Sequence, residues 1–333
     1  MPDLRLGVLD QSPIPSGSTA SEALACSVEL AQRAERLGYH RYWVAEHHGS
    51  NSFAGCSPEI LVGHIASATS SIRVGSGGVM LMHYSPLKVA ENFKLLQCLH
   101  PNRIDLGIGR APGSDGITVA ALAYGSRIGV DYLPAKIGDL QAWVHDKVPV
   151  TEALARVNPA PQVSEPPEMW MLGSTSDGAQ LAAHYGLRFC FAHFIGPHLA
   201  QQACALYVQQ FKPSDEVPDP VISLGVFVLC ADTDEEANAL ARCRDLWWLR
   251  VKRGEFGRFP SIAEAQDYAY TPAELARIES RRGNQIVGTK DRVAEQLLGL
   301  CADLGAGELS VIAITHEFEQ RVRCYELLAE ALL

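Results

Sequence analysis

Short apolar segments alternate with amphipathic helical segments along nearly all of this 333-residue chain, and few folds tolerate that rhythm. Residues 4–9 (LRLGVL) read as a buried strand. Residues 19–37 read as a helix: Thr19 and Glu22 have capping-box spacing, Leu24, Val28, Ala31 and Ala34 share one face, and Gly38 ends it. Further strands fall at 41–46, 72–81, 103–109, 169–173, 188–192, 221–230 and 308–314. Two helices between them open at Ser57-Pro58 and Ser85-Pro86, with serine as cap and proline in the first helical position. Others run over 130–145, up to 185, and over 197–211, 235–250, 289–304 and 318–332. Short apolar strands separated by helices imply a parallel sheet. Eight such units predict an α/β fold that closes as a (β/α)8 TIM barrel, with a doubly wound open sheet as the alternative. Residues 251–285 break the rhythm with scattered charges, Gly254, Gly257, Pro260 and Pro272. They read as a long insertion between the seventh and eighth strands, a surface excursion or lid within a single domain spanning 1–333.

The composition narrows the function classes. A net charge of −10 argues against a nucleic-acid footprint, which needs a basic face. No run approaches the ~20 apolar residues of a membrane span. The start, MPDLRLGVLDQSP, lacks the parts of a secretory signal, so the expected location is cytoplasmic. Nine cysteines without a CxxC pair support neither a zinc ribbon nor a disulfide framework.

Chemistry in such barrels sits where strands end and βα loops begin, and these strand ends are loaded with polar residues. The second ends in Glu46-His47-His48. The third carries Ser76-Gly77-Gly78 and leads to Met82-His83-Tyr84. The fourth runs through Gly109-Arg110-Ala111-Pro112-Gly113, the fifth ends in Gly173-Ser174-Thr175-Ser176-Asp177, and the sixth in His193. The serine-rich start of the helix after the fifth strand offers free N–H groups to an anion, or is an ordinary cap. Arg110 favours the anion reading, because a charge-assisted hydrogen bond contributes about 1.5–3 kcal/mol against roughly 0.3–1 from a helix dipole; a structural salt bridge is its alternative. Gly77 and Gly78 leave either a bare patch for a flat ring or a bulge. His47 and His48 point to opposite faces while strand geometry persists, so one of them faces the mouth, where proton transfer is open to it. The first strand ends in Asp10-Gln11-Ser12 and offers no HxH pair, so no metal is expected. Trp43, Met80, Met82, Tyr84 and Phe194 would make a nearby cavity apolar.

At WVAEHH, VGSGGVML, HYSPLKVAENFKLLQCLHPNRIDLGIGRAPG, LGSTSDGAQLAAHYGL and NQIVGTKDRVAEQLLGL, the chain resembles the bacterial-luciferase-like flavin monooxygenases over nearly its whole length, closest to the single-subunit alkanal-monooxygenase-like branch. The resemblance implies reduced FMN, supplied by a separate flavin reductase and used with oxygen on a small-to-medium apolar substrate such as an aldehyde. It also implies a homodimer. It places the phosphate on Arg110 and the turn from Gly173 and Ser174 through Thr175 to Ser176. The ring would lie against Ser76, Gly77 and Gly78, with a non-proline cis peptide at Gly77–Gly78. Glu46-His47 matches the family's glutamate–histidine pair, His47 relaying a proton and Glu46 orienting it. Two positions depart. Gly109 stands where light-emitting luciferases carry a reactive cysteine, so no thiol is expected beside the flavin, and 251–285 does not match the luciferase lid. The alternatives are an F420-dependent dehydrogenase, a non-catalytic flavin-binding protein, and a metal-dependent hydrolase using Glu46, His48 and His83.

Overall fold

The computed structural model describes residues 4–110, 115–124, 132–282 and 285–333. Ala111, Pro112 and Gly113 of the fourth strand's end, and the first residues of the helix expected over 130–145, lie outside them.

The strands are β1 (Arg5–Asp10), β2 (Arg41–Val44), β3 (Arg73–Met80), β4 (Ile104–Gly109), β5 (Glu168–Gly173), β6 (Arg188–Ala192), β7 (Ile222–Cys230), β8 (Ile286–Gly288) and β9 (Glu308–Ile312). They pair in the order β6-β5-β4-β3-β2-β1-β9-β7, and β6 pairs with β7 to close the ring. Every pairing is parallel. The expected barrel is present, and its eighth strand is β9. The short β8 is an addition that the alternation did not reveal; it pairs only with the far end of β7.

Among the described residues, twelve helices pack around and over this barrel: α1 (Ala20–Arg36), α2 (Pro58–Ala68), α3 (Pro86–Leu99), α4 (Gly116–Ala123), α5 (Leu133–Val144), α6 (Ser176–His184), α7 (Ala200–Gln210), α8 (Asp234–Lys252), α9 (Ile262–Asp267), α10 (Pro272–Arg282), α11 (Lys290–Leu304) and α12 (Phe318–Leu332). The Thr19–Glu22 capping box of α1 forms as its spacing requires. Ser57 and Ser85 stand at the N-caps of α2 and α3, but neither side chain bonds to its helix; with proline in the first turn, one orphan donor is already absent.

Strand alternation sorts the interior into layers. Residues at the strand starts form an ionic floor: Arg41 lies 2.5 Å from Asp105, pairs with Glu308, and shares Asp105 with Arg73 at 2.6 Å. Trp43 and Trp170 stack edge to face above it, their centroids 5.2 Å apart, and both rings lie against the Arg41 guanidinium. The next inward layer is Leu9, Ala45, Gly77, Gly109, Leu172, Ala192 and Gly225. Glycine and alanine dominate it, so the floor and the tryptophan layer are packed while the mouth is left unfilled.

Residues 251–282 hold two helices, α9 and α10, and are tied to the barrel. Within them α9 is held by a Ser261–Glu264 capping box, and Glu264 also accepts from Ser16 Oγ at 2.5 Å. Phe259 is 2% exposed, bonds through its backbone to Ile14 and Ser16, and packs on Trp247. The insertion is strapped to the first βα loop.

Candidate active site

The open layer bounds a cavity of about 560 Å³ at the C-terminal ends of the strands, within the roughly 300–1,000 Å³ of small-molecule sites. Its wall includes Leu9, Ala45, Met80, Leu172, Phe194 and Ile195, and its polar groups are few: Gln11, Glu46, His47, Arg110, Ser174 and Thr175.

At one end a guanidinium meets the start of a helix. Gly173 and Gly178 approach so closely that a Cβ on either would lie 3.3 Å from the other's Cα. That contact brings the first turn of α6 against the end of β5, with its free N–H groups at the cavity. Thr175 caps α6 without bonding to it, and its Oγ1 instead accepts from Arg110 Nη2 at 3.3 Å. Arg110 Nη1 donates to Asp177 at 2.6 Å. Gly173, Ser174, Thr175 and Arg110 therefore converge as expected. Ser176 does not join them: it is the first residue of α6 and is absent from the cavity wall.

Gly77 and Gly78 both line the cavity, and the peptide between them is cis. The bulge is present as well, since the register with β4 shifts between Ser76 and Val79. Crowding explains both glycines: a Cβ on Gly77 would run into Leu9 and lie 3.0 Å from Trp43 Cβ, and one on Gly78 would lie 2.8 Å from the Gly107 carbonyl oxygen. Ser76 corrects the expectation that it contacts a ligand. It is fully buried and its Oγ donates to Gly107 O at 2.8 Å.

The glutamate–histidine pairing also differs from the expectation. β2 ends at Val44, so alternation no longer governs residues 46–48. Glu46 turns to His48, whose Nε2 lies 2.6 Å from Oε1, and to Tyr84, whose hydroxyl donates to the same oxygen at 2.6 Å. The Met80 N–H donates to Oε2 at 2.9 Å. Burial, and then this carboxylate, push the Tyr84 phenol well above its ordinary range. Glu46 thus staples the loop after β2 to the turn after β3, and it does not orient His47. His47 packs its ring on Phe53, centroids 4.5 Å apart, and its Nδ1 is sealed off without a partner. Burial, then the neighbouring His48, lower its pKa to about 4, so the imidazole is neutral at neutral pH. Nε2 is left as the nitrogen that a group in the cavity can reach.

The wall residues that the sequence did not mark as lining a site include Gln11, Cys190 and Gly225. Alternation along β6 and β7 marks the last two as inward positions. Cys190 corrects the expectation of no thiol at the site, since one lines the cavity from β6 instead of β4. Burial pushes that thiol up to about 12, so it is protonated and unreactive. Among the described residues, no group of three or more His, Cys, Asp or Glu side chains is arranged to hold a metal. No described helix is long and apolar enough to cross a membrane.

A sequence profile described as luciferase-like monooxygenase matches residues 4–129 and 139–308. YwcH of Bacillus subtilis (strain 168) is 45% identical over 98% of both chains. The N-acetyl-S-alkylcysteine monooxygenase of the same strain is 37% identical over 99% of this chain and 98% of its own. The crystal structure of apo-MsnO8 superposes with a TM-score of 0.90 at 38% identity, covering 99% of this chain and 98% of that one. Below 25% identity, the fold is shared with an FMN-bound oxygenating constituent of 3,6-diketocamphane monooxygenase (TM-score 0.73, 99% of this chain and 97% of that one) and with an F420-dependent secondary alcohol dehydrogenase (TM-score 0.72, 99% of each).

Proposed function

The chain belongs to the luciferase-like monooxygenase family, and from that premise we propose that it binds reduced FMN in the barrel-mouth cavity and oxidises a small-to-medium apolar substrate with dioxygen. The observation that carries this reading is the joint placement of an anion-binding corner and an apolar hollow on one cavity: Arg110 with the α6 start on one side, the Gly77–Gly78 floor and aliphatic wall on the other. The residues fit the cofactor. Arg110, Ser174 and the first-turn amides of α6 would hold its phosphate, Asp177 yielding the guanidinium to the stronger anion. Gly77, Gly78 and Gly109 would leave its ring unobstructed. Reduced flavin, when bound, supplies the electrons that activate oxygen.

The remaining work is done by the chain. Leu9, Leu172, Phe194 and Ile195 keep water from the reacting end of the cavity. His47, neutral and unpartnered at Nδ1, holds or accepts a proton at Nε2, and its ring is fixed by Phe53. A separate flavin reductase delivers the reduced cofactor. An alkanal is the reference substrate, and the relative named for N-acetyl-S-alkylcysteine adds thioethers to the panel.

The test titrates the protein with FMN, riboflavin and F420, then measures oxygen-dependent loss of alkanals and thioethers with a flavin reductase present. Preference for FMN over riboflavin and turnover of one substrate class are expected. Preference for F420 would favour hydride transfer. Tight FMN binding with no substrate loss would favour a non-catalytic binder.

A further inference from the structure

On β7, Gly225 lines the cavity, and Phe227, two residues on, shares its inward face about 7 Å nearer the mouth. The guanidinium of Arg244 from α8 lies over that ring, Cζ 3.3 Å from the centroid. One turn further along α8, on the same face, Trp248 carries the guanidinium of Arg281 from α10, Cζ 3.9 Å from its centroid. Lys252, a turn beyond, lies 5.7 Å from the same ring. Among the described residues neither guanidinium forms an ion pair or a hydrogen bond, and Arg281 Nη1 is sealed from solvent. The nearby carboxylate, buried Asp245, turns its oxygens to Arg282 and Gln285 at 3.4 Å each. Burial first, then the charge of Arg281, draw Arg244 down to about 9, against a smaller opposing pull from Asp245.

A guanidinium stacked on an aromatic face keeps its N–H edge free, and that edge matches a carboxylate. Enclosed, unpaired cations are costly unless something pairs with them. We propose that Arg244 and Arg281 form a binding site for a ligand carboxylate, beside Phe227 and Trp248 and apart from the cavity wall. The site does not depend on the proposed monooxygenase reading.

Calorimetric titration of the FMN-supplemented protein with octanoate and with 1-octanol tests this. The wild type should bind octanoate at least about ten-fold more tightly than 1-octanol, the size of one charge-assisted hydrogen bond. Arg244→Gln and Arg281→Gln should each remove that preference while leaving 1-octanol and FMN affinities within about two-fold. Octanoate should raise the thermal midpoint of the wild type and not of the variants. Equal binding of the two ligands by the wild type, or a preference that survives Arg281→Gln, overturns the proposal. Should Arg244→Gln not fold, Arg281→Gln, at the less enclosed position, decides alone. Absence of FMN binding alongside a persisting octanoate preference would sink the monooxygenase reading and leave the carboxylate site standing.

Discussion

Arg110 Nη1 donates to Asp177 Oδ2 at 2.6 Å across the mouth of the cavity, joining the end of β4 to the first turn of α6. Asp177 thereby holds the one cation that the proposed phosphate needs. Asp177→Asn should tighten FMN several-fold and leave riboflavin unchanged. Arg110→Met should weaken FMN by about ten-fold or more, again sparing riboflavin, since a charge-assisted hydrogen bond contributes roughly 1.5–3 kcal/mol. Fluorescence titrations of the two flavins check both, and equal losses for FMN and riboflavin in Arg110→Met would place the phosphate elsewhere.

His47 sets a pH dependence. Its pKa in the folded chain, about 4, lies below the ordinary histidine value of about 6.5. The unfolded chain therefore takes up this proton first as pH falls. The stability that a neutral His47 contributes is complete above pH ~6.5 and is lost as pH drops toward 4. Between pH 7 and 4.5 the wild type should lose about 2 kcal/mol that His47→Gln does not lose, allowing for water that reaches the ring from the cavity. Urea unfolding at the two pH values measures it, and parallel losses in both proteins would refute it.

Two glycines on one strand should respond oppositely to an added methyl. A Cβ on Gly107 would collide with the Ser76 carbonyl oxygen, whereas the nearest atom to one on Gly109 is 3.9 Å away. Gly107→Ala should cost about 2–3 kcal/mol by overpacking. Gly109→Ala should change stability by less than about 1 kcal/mol and instead weaken flavin binding, because its methyl enters the cavity.

Glu46 accepts from Met80 N and Tyr84 Oη and lies against His48. Removing its carboxylate strands a buried amide, so Glu46→Ala should destabilise the fold by about 2–3 kcal/mol or more. Tyr84→Phe, which deletes a single donor, should cost about 1 kcal/mol. Chemical denaturation ranks them, and the reverse order would mean that Tyr84, not Glu46, holds the two loops together.

Strand alternation decides some positions of the site and leaves others open. Ser76 lies between two inward glycines, so period-two alternation already turned it away from the cavity; the same rule marks Cys190 as inward. The partner of Glu46 was different. β2 stops at Val44, and beyond it no period says whether His47 or His48 meets a carboxylate. Tyr84, from the turn after another strand, decided that. The docking of Phe259 on Ile14, Ser16 and Trp247 had no signal in a segment that reads as charges, glycines and prolines.

The chain by itself determined the order of its eight barrel strands, the Thr19–Glu22 cap, the closed barrel, and the convergence of Arg110 with the turn after β5. Each follows from short-range periodicity or from the rule that parallel strands end on one rim. Tertiary structure alone decided that Glu46 serves His48, that Asp177 occupies Arg110, and that Arg244 and Arg281 come from separate helices to neighbouring rings without a carboxylate bonded to either. Those pairings depend on which surfaces the barrel's closure presses together, and burial then fixes the energetic cost of every charge left there.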